Sequence, residues 1–380
     1  MYTGERLMRV AVLIILFWSM PATGQDRVWT DVVRETPYWM SQGVYQNIIT
    51  IRRWVLAGSG FCGAPDRHIL YDRRGRFLGY ITDGGDRDET QQRLNRVRAE
   101  WAGSGHSDQW VAGGPNAPGY PFALSCDQPH VDLAASIRRY LGKDPDDGIW
   151  GTWDDLVIGS ETKRVSLHEA LRHIYAVRIA QQRLDLPDEL PLYLAGKLLI
   201  ESGAQSRAHS RADARGIMQL SPGVLDDCGI AAHNHWHRMA QIDCALRLLN
   251  QNARLLRPAF EARFDGLTEH KRKRLFTLLL VQAYHGGAAR VRLLLEDEQL
   301  ARPAAYFASH HTAYSAGDIA FGMIFHNLGR NRLGLASLYY IADVEIAVAA
   351  LCRQAAFATE TACQNIMTES RDTPVMDSIR

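Results

Sequence analysis

No excess of charge of either sign marks this chain: 43 Lys and Arg stand against 42 Asp and Glu in 380 residues. Nucleic acids and anionic membranes select clustered basic charge, so a near-neutral chain argues against both as general partners. Long apolar runs are scarce as well. The run at the amino end, Val10 to Met20, has about eleven residues, short of the ~20 that a bilayer crossing needs. Arg6 and Arg9 precede it, and Pro21-Ala22-Thr23-Gly24 follow it. Basic, then apolar, then small is the order of a secretory signal peptide (residues 1–24), with cleavage expected after Gly24. No cysteine follows the run, which argues against a lipid anchor. Removal of Arg6, Arg9 and Glu5 with the leader brings the mature chain to neutrality, and residues 25–380 suffice for two domains.

Cysteine is sparse, and CxxC pairs are missing, so a thiolate zinc site is not expected. The six cysteines all lie beyond the leader, and an even number in an exported chain points to disulfides. Pairing within segments gives Cys62–Cys126, Cys228–Cys244 and Cys352–Cys363. Histidines alternate at His233, His235 and His237, but no carboxylate or thiolate stands in a ligand pattern beside them. They read as solvated loop residues. The acidic stretch around Asp147 is no calcium loop, because Lys143 would occupy its first ligand position. No metal or other cofactor is expected.

Residues 25–160 read as a small α+β domain. Residues 44–57 fit a helix or a strand, since periodicity does not choose between them. His68 to Tyr71 and Arg76 to Thr82 predict a β-hairpin turning at Gly75, and Thr90 to Trp101 a polar helix. Gly and Pro crowd residues 102–121, which predicts loop. Seven of the nine tryptophans lie between Trp29 and Trp153; they could stack on sugars, but core filling is the stronger expectation. A helix from Leu133 to Leu141 leads to Asp147-Gly148-Ile149-Trp150-Gly151, which looks like the D-G-I-F-G signature of small peptidoglycan-binding domains. The match covers one helix and five residues, and the sequence beyond does not continue it.

The second part, residues 161–365, reads as helical, followed by a polar tail at 366–380. Ser166-x-x-Glu169 is a capping box that opens a helix to about Arg183, and Ser221-Pro222 opens another. An amphipathic helix from Arg272 to Ala283 delivers Tyr284-His285-Gly286-Gly287. Between them an apolar run, Leu192 to Ile200, is punctuated by Pro191 at its start and Gly203 past its end. Glu201 therefore sits in the last turn, with Leu194 and Leu198 on its own face. A carboxyl half-buried among apolar groups resists ionisation, as a general acid at neutral pH must. The plainer alternative is a solvated carboxylate paired with Lys197 one turn back.

From Glu201 onward the spacing resembles the motif of family 1 lytic transglycosylases, which are related to goose-type lysozymes, roughly E-S-x-F-N-P-x-A-x-S-x-x-G-A-x-G-L-M-Q. Glu201, Ser202, Ala208, Ser210, Ala214, Gly216, Met218 and Gln219 fall in register, with Ile217 for Leu. Ala204, Gln205 and Ser206 replace F-N-P, and Asp213, which tolerates left-handed backbone, replaces Gly. Gln241-Ile242 resembles the family's N-I helix. Ala283, Tyr284 and Gly287 match A-Y-N-A-G, with His285 for Asn and Gly286 for Ala; neutral His, like Asn, offers a donor and an acceptor. Tyr340 stands in register with the late E-T-x-x-Y-V block, whose Glu is lost.

The resemblance implies a mainly α protein: a lysozyme-like helical catalytic domain behind the smaller amino-terminal α+β domain, in the periplasm, acting on peptidoglycan glycan strands. It implies that Glu201 protonates the oxygen leaving N-acetylmuramic acid, then takes a proton from that sugar's 6-hydroxyl to close a 1,6-anhydro ring. Ser202 would orient Glu201, Met218 and Gln219 would line sugar subsites, and Tyr284, His285 and Tyr340 would position the substrate. The motif offers no second carboxylate, which suits assistance by the sugar's N-acetyl oxygen. Two alternatives stay open, a hydrolytic muramidase and a non-catalytic wall-binding or scaffold protein. The amino-terminal domain could dock a periplasmic protein partner.

Overall fold

The computed structural model describes residues 27–127 and 131–369; the leader, its cleavage point and residues 370–380 lie outside the described residues. In chain order come α1 (Trp29–Glu35), α2 (Val44–Ala57), β1 (Arg67–Tyr71), β2 (Phe77–Thr82), α3 (Arg87–Gly103), β3 (Phe122–Ser125), α4 (Leu133–Tyr140), β4 (Gly151–Trp153) and β5 (Leu156–Ile158). Helices follow: α5 (Leu167–Ala180), α6 (Leu190–Ser202), α7 (Pro222–Asp227), α8 (Arg238–Phe264), α9 (Glu269–Gly286), α10 (Ala288–Glu296), α11 (Arg302–Ser309), α12 (Ala316–Phe325), α13 (Leu335–Cys352) and α14 (Thr361–Glu369). The described chain is mostly helical with little strand, as expected for the mainly α class.

Two helices without a polar face organise the body. A helix that is apolar all round belongs in an interior. α13 has a mean hydropathy of 1.7 and the length to cross a membrane, yet most of it is buried among other helices. α6 is buried at every position from Leu192 to Ile200. The two cross at Gly196, where a Cβ would stand 2.7 Å from Val348 Cγ2 and 3.0 Å from the Val344 carbonyl oxygen. Only glycine allows backbones this near. Less than two turns beyond the crossing α6 ends at Ser202, and Gly203 takes φ 60° as its cap.

α2, whose sequence fits either helix or strand, is a helix, because it lies against α13 and α12 rather than in a sheet. Arg52 is buried and grips Asp343 of α13 through Nε at 2.7 Å and Nη2 at 2.5 Å. Tyr45 donates to Glu345 at 2.7 Å, and Arg274 of α9 donates to the same carboxylate oxygen at 2.5 Å. The apolar core runs without a break from Val32 to Ile366. Residues 29–57 thus share a core with the helical body.

The expected hairpin forms in an antiparallel sheet of order β2-β1-β3. β3 lies next to the Gly- and Pro-rich loop and had no separate sequence signal. Alternation along β1 sends Leu70 to a small cluster with Leu94 of α3, while Ile69 and Tyr71 join the main core. The three expected disulfides are present: Cys62–Cys126, Cys228–Cys244 and Cys352–Cys363. They fit an oxidising, extracytoplasmic environment.

Several expectations change. The helix after Ser166 stops at Ala180, not near Arg183, and α14 extends into the stretch expected as tail. Trp29, Trp54 and Trp153 pack against the core, but Trp39 is 57% and Trp150 46% exposed. The segment Asp147–Gly151 is tied to the helical body, since Arg238 of α8 donates to the Asp147 and Gly148 carbonyls at 2.7 Å each.

Candidate functional site

Glu201 is offered to solvent by the end of α6 and is held from behind by α9 and α13. Its side chain is 26% exposed. The Tyr340 hydroxyl of α13 donates to Oε1 at 2.9 Å, and the Lys197 ammonium lies 3.7 Å from the same oxygen. Oε2 has no hydrogen-bond partner among the described residues. One oxygen is therefore anchored and the other is left open.

Lys197 departs from the solvated pair considered for it. It is 2% exposed, because α6 has no solvent face at its level. Its ammonium donates to the Met218 carbonyl at 3.0 Å and lies 3.7 Å from the centre of the Tyr284 ring. A carbonyl, a ring face and a carboxylate together compensate part of the lost hydration. Burial nonetheless lowers its pKa to about 8, against the opposing pull of Glu201. A lone Lys in an otherwise apolar helix, four residues before Glu201, was the available sequence signal.

The motif residues after Glu201 build a tight loop. Gly216 donates its N–H to the Ala208 carbonyl at 2.7 Å, and Arg215 to Leu220 at 2.9 Å. Asp213 takes φ 59°, the left-handed backbone its position requires, and its carboxylate is held by Arg215 and His209. Ala204, where the family pattern has Phe, also takes a left-handed φ of 61°. Gly216 has φ 65°, and a Cβ there would fall 2.0 Å from Gln241 Nε2. Gln241 fills that space from α8, accepting from the Met218 N–H at 3.0 Å. It is fully buried. The Met218 carbonyl is thereby aimed at Lys197 and at Tyr284, whose hydroxyl donates to it at 3.2 Å.

The other expected site residues are placed as follows. The single Ser202 O–H is shared between the Leu198 and Ile217 carbonyls, 3.0 and 2.8 Å away, so its hydroxyl pins the loop to the helix end and not the Glu201 carboxylate. Met218 is 0% exposed, so its carbonyl and not its side chain acts toward the site. Gln219 is half-buried, and its amide N–H groups serve the Ala208 and Gly216 carbonyls. His285 stacks on Tyr340 with ring centres 4.2 Å apart, and its outer side is exposed. The hydration lost on the packed side lowers its pKa below the ordinary imidazole value, although Glu201 pulls the other way. Burial, reinforced by Glu201, holds the Tyr284 and Tyr340 hydroxyls well above 10, so both stay protonated donors.

The three alternating histidines are not uniformly solvated. His233 is exposed, but His235 is buried against Arg215 and the Ile230 carbonyl, and His237 caps the start of α8. They part because the loop ends where α8 begins. Arg139 of α4 supports the site from outside, donating to the Gly203 carbonyl at 2.5 Å. A cavity of about 440 Å³ lies elsewhere, between α2, α9, α12 and α13, and does not include Glu201.

No protein-family model matches the chain, and no curated protein matches it. Chemically, the arrangement offers one carboxyl with one anchored and one open oxygen, two phenol donors, and a fixed buried cation. It is suited to moving a single proton to and from a ligand lying over the end of α6.

Proposed function

We propose that the chain is a periplasmic lytic transglycosylase acting on peptidoglycan glycan strands. The observation that carries the reading is the 2.9 Å contact between Tyr340 and Glu201, positions 139 residues apart that the family resemblance assigns to one cleft. In this reading Glu201 Oε2 carries a proton to the oxygen leaving N-acetylmuramic acid. The sugar's N-acetyl oxygen supports the oxocarbenium-like centre, and the carboxylate then removes the 6-hydroxyl proton as the 1,6-anhydro ring closes. The proton lost in the first half returns in the second, and no water is consumed. A one-carboxylate mechanism is supported by the engagement of two other carboxylates, Asp213 by Arg215 and His209, and Asp343 by Arg52.

The test is mass spectrometry of sugar fragments released from purified peptidoglycan by residues 25–380, with Glu201→Gln alongside. The expected products carry anhydro ends, lighter than reducing ends by one water, and fall to background in the variant. Reducing ends dependent on Glu201 would make the protein a muramidase. Binding to the wall without release would make it a non-catalytic wall protein.

A further inference from the structure

Lys197 has no counterpart in the motif on which the functional reading rests, yet the fold holds it as tightly as any residue near Glu201. We infer that Lys197 is the positioning residue of Glu201: its ammonium anchors Oε1 as the anionic oxygen and so leaves Oε2 as the oxygen that exchanges a proton with the glycan. This deepens the transglycosylase reading and rests on it.

Three observations support the assignment. Lys197 and Tyr340 both address Oε1, at 3.7 and 2.9 Å, from opposite helices. The ammonium cannot drift, because the Met218 carbonyl and the Tyr284 ring hold it, and Gln241 holds Met218. It is also buried, so solvent screens its effect on Glu201 much less than at a surface pair. The ionisable groups facing Glu201 are Lys197 on its own helix, Tyr284 and His285 on α9, and Tyr340 on α13, with Asp343 behind Tyr340 and bound to Arg52. Lys197 is the cation among them at neutral pH.

A cation beside a carboxyl favours its ionised form. In the reaction that helps the half in which the carboxylate removes the 6-hydroxyl proton. Removing the charge of Lys197 is therefore expected to move the alkaline side of the pH profile of fragment release.

The experiment is the pH dependence of anhydro-fragment release by wild type, Lys197→Met and Lys197→Arg. In Lys197→Met the alkaline fall is expected about one pH unit higher, since an adjacent charge typically moves a carboxyl by 1–3 units. Lys197→Arg keeps the charge and is expected to keep the wild-type position at a lower rate. A purely structural lysine would lower the rate or stability of Lys197→Met without moving the fall; that result overturns the inference. A second measurement needs no change at Lys197: alkaline thermal unfolding of wild type and Glu201→Gln. Lys197 titrates near 8 when folded and near 10.5 when unfolded, so stability rises with pH between those values. Loss of the carboxylate partner is expected to start that rise at lower pH, and superimposable curves would refute the coupling. If wild type releases no fragments, the functional reading fails, while the unfolding curves still decide whether Lys197 and Glu201 are coupled.

Discussion

Helix α13 carries or meets carboxylates on two sides, and the sides differ in whether an unpaired oxygen can reach solvent. Toward α2, Asp343 is 5% exposed and gripped at both oxygens by Arg52, while Glu345 takes Arg274 and Tyr45 on Oε2 and keeps Oε1 buried without a hydrogen bond. Toward α6, Tyr340 reaches a carboxyl that is 26% exposed and has one oxygen open. The first side joins the amino-terminal helix to the body; the second leaves capacity for a ligand. A buried ion pair with its groups matched serves assembly, whereas a half-satisfied carboxyl at a surface opening is where proton transfer can occur.

The strongest way to break the comparison is at the matched side. Arg52→Met leaves Asp343 buried without its main partner and is expected to cost about 3–5 kcal/mol, read as a lowered denaturation midpoint. Adding Asp343→Leu removes the orphaned charge and is expected to restore much of the loss. If the single variant were as stable as wild type, α2 would not be anchored through this pair. For the same reason, deletion of residues 25–160 strips α13 of buried partners and is expected to give insoluble protein.

Next in size is the loop that carries Met218. Gly216→Ala places a Cβ where the Gln241 amide lies and forces Ala to φ 65°. The left-handed backbone costs about 1–2 kcal/mol and the displaced buried amide about as much again, so a loss of about 3 kcal/mol is expected. Since Met218 then loses its clamp, fragment release should fall more than unfolding alone explains, assayed well below the melting temperature.

What could be read beforehand follows from distance along the chain. The end of α6, the capping box at Ser166 and the left-handed turn at Asp213 and Gly216 are local demands of the backbone, and local spacing displays them. Tyr340 became placeable only because a resemblance supplied its long-range partner. Gly196 and Arg52 escaped, since each owes its role to a residue on another element, Val348 and Asp343; the spacing offered Lys197 as a partner for Glu201 but not its burial against Met218 and Tyr284. A lysine in an apolar helix and a glycine one position before it are visible as oddities, but spacing alone does not name what they touch. Ser202 and Met218 show the converse: their positions were expected near the site, but their side chains are turned to holding the loop.

A smaller, pH-dependent effect belongs to the packing of the amino-terminal segment against the end of α12. His326, at the end of α12, is buried against Ser41, 3.0 Å from its Oγ, and burial lowers its pKa to about 3. Between that value and the ordinary 6.5 the unfolded chain binds the proton and the folded chain does not. Stability therefore falls as pH drops below 6.5, by about 1.4 kcal/mol per unit once well past it, or about 2 kcal/mol at pH 5. His326→Gln is expected to flatten this acid limb in urea titrations at pH 5 and 7. An unchanged slope would mean that protonated His326 is accommodated in the folded protein.

The smallest expected effect bears on the open side. Tyr340→Phe keeps the ring that His285 stacks on and removes only the hydroxyl at Oε1. Lys197 still anchors that oxygen, so the fold should lose about 1 kcal/mol or less. The carboxyl, however, loses the donor that fixes its rotation. A loss of about 1.4 kcal/mol in the transition state corresponds to a tenfold slower release. The fall should appear in kcat more than in KM, because the hydroxyl is turned to Glu201 and not to the open side where the glycan would lie. If Tyr340→Phe releases fragments at the wild-type rate, the Tyr340 hydroxyl is not what makes Glu201 competent, and the Lys197 ammonium alone suffices to hold Oε1.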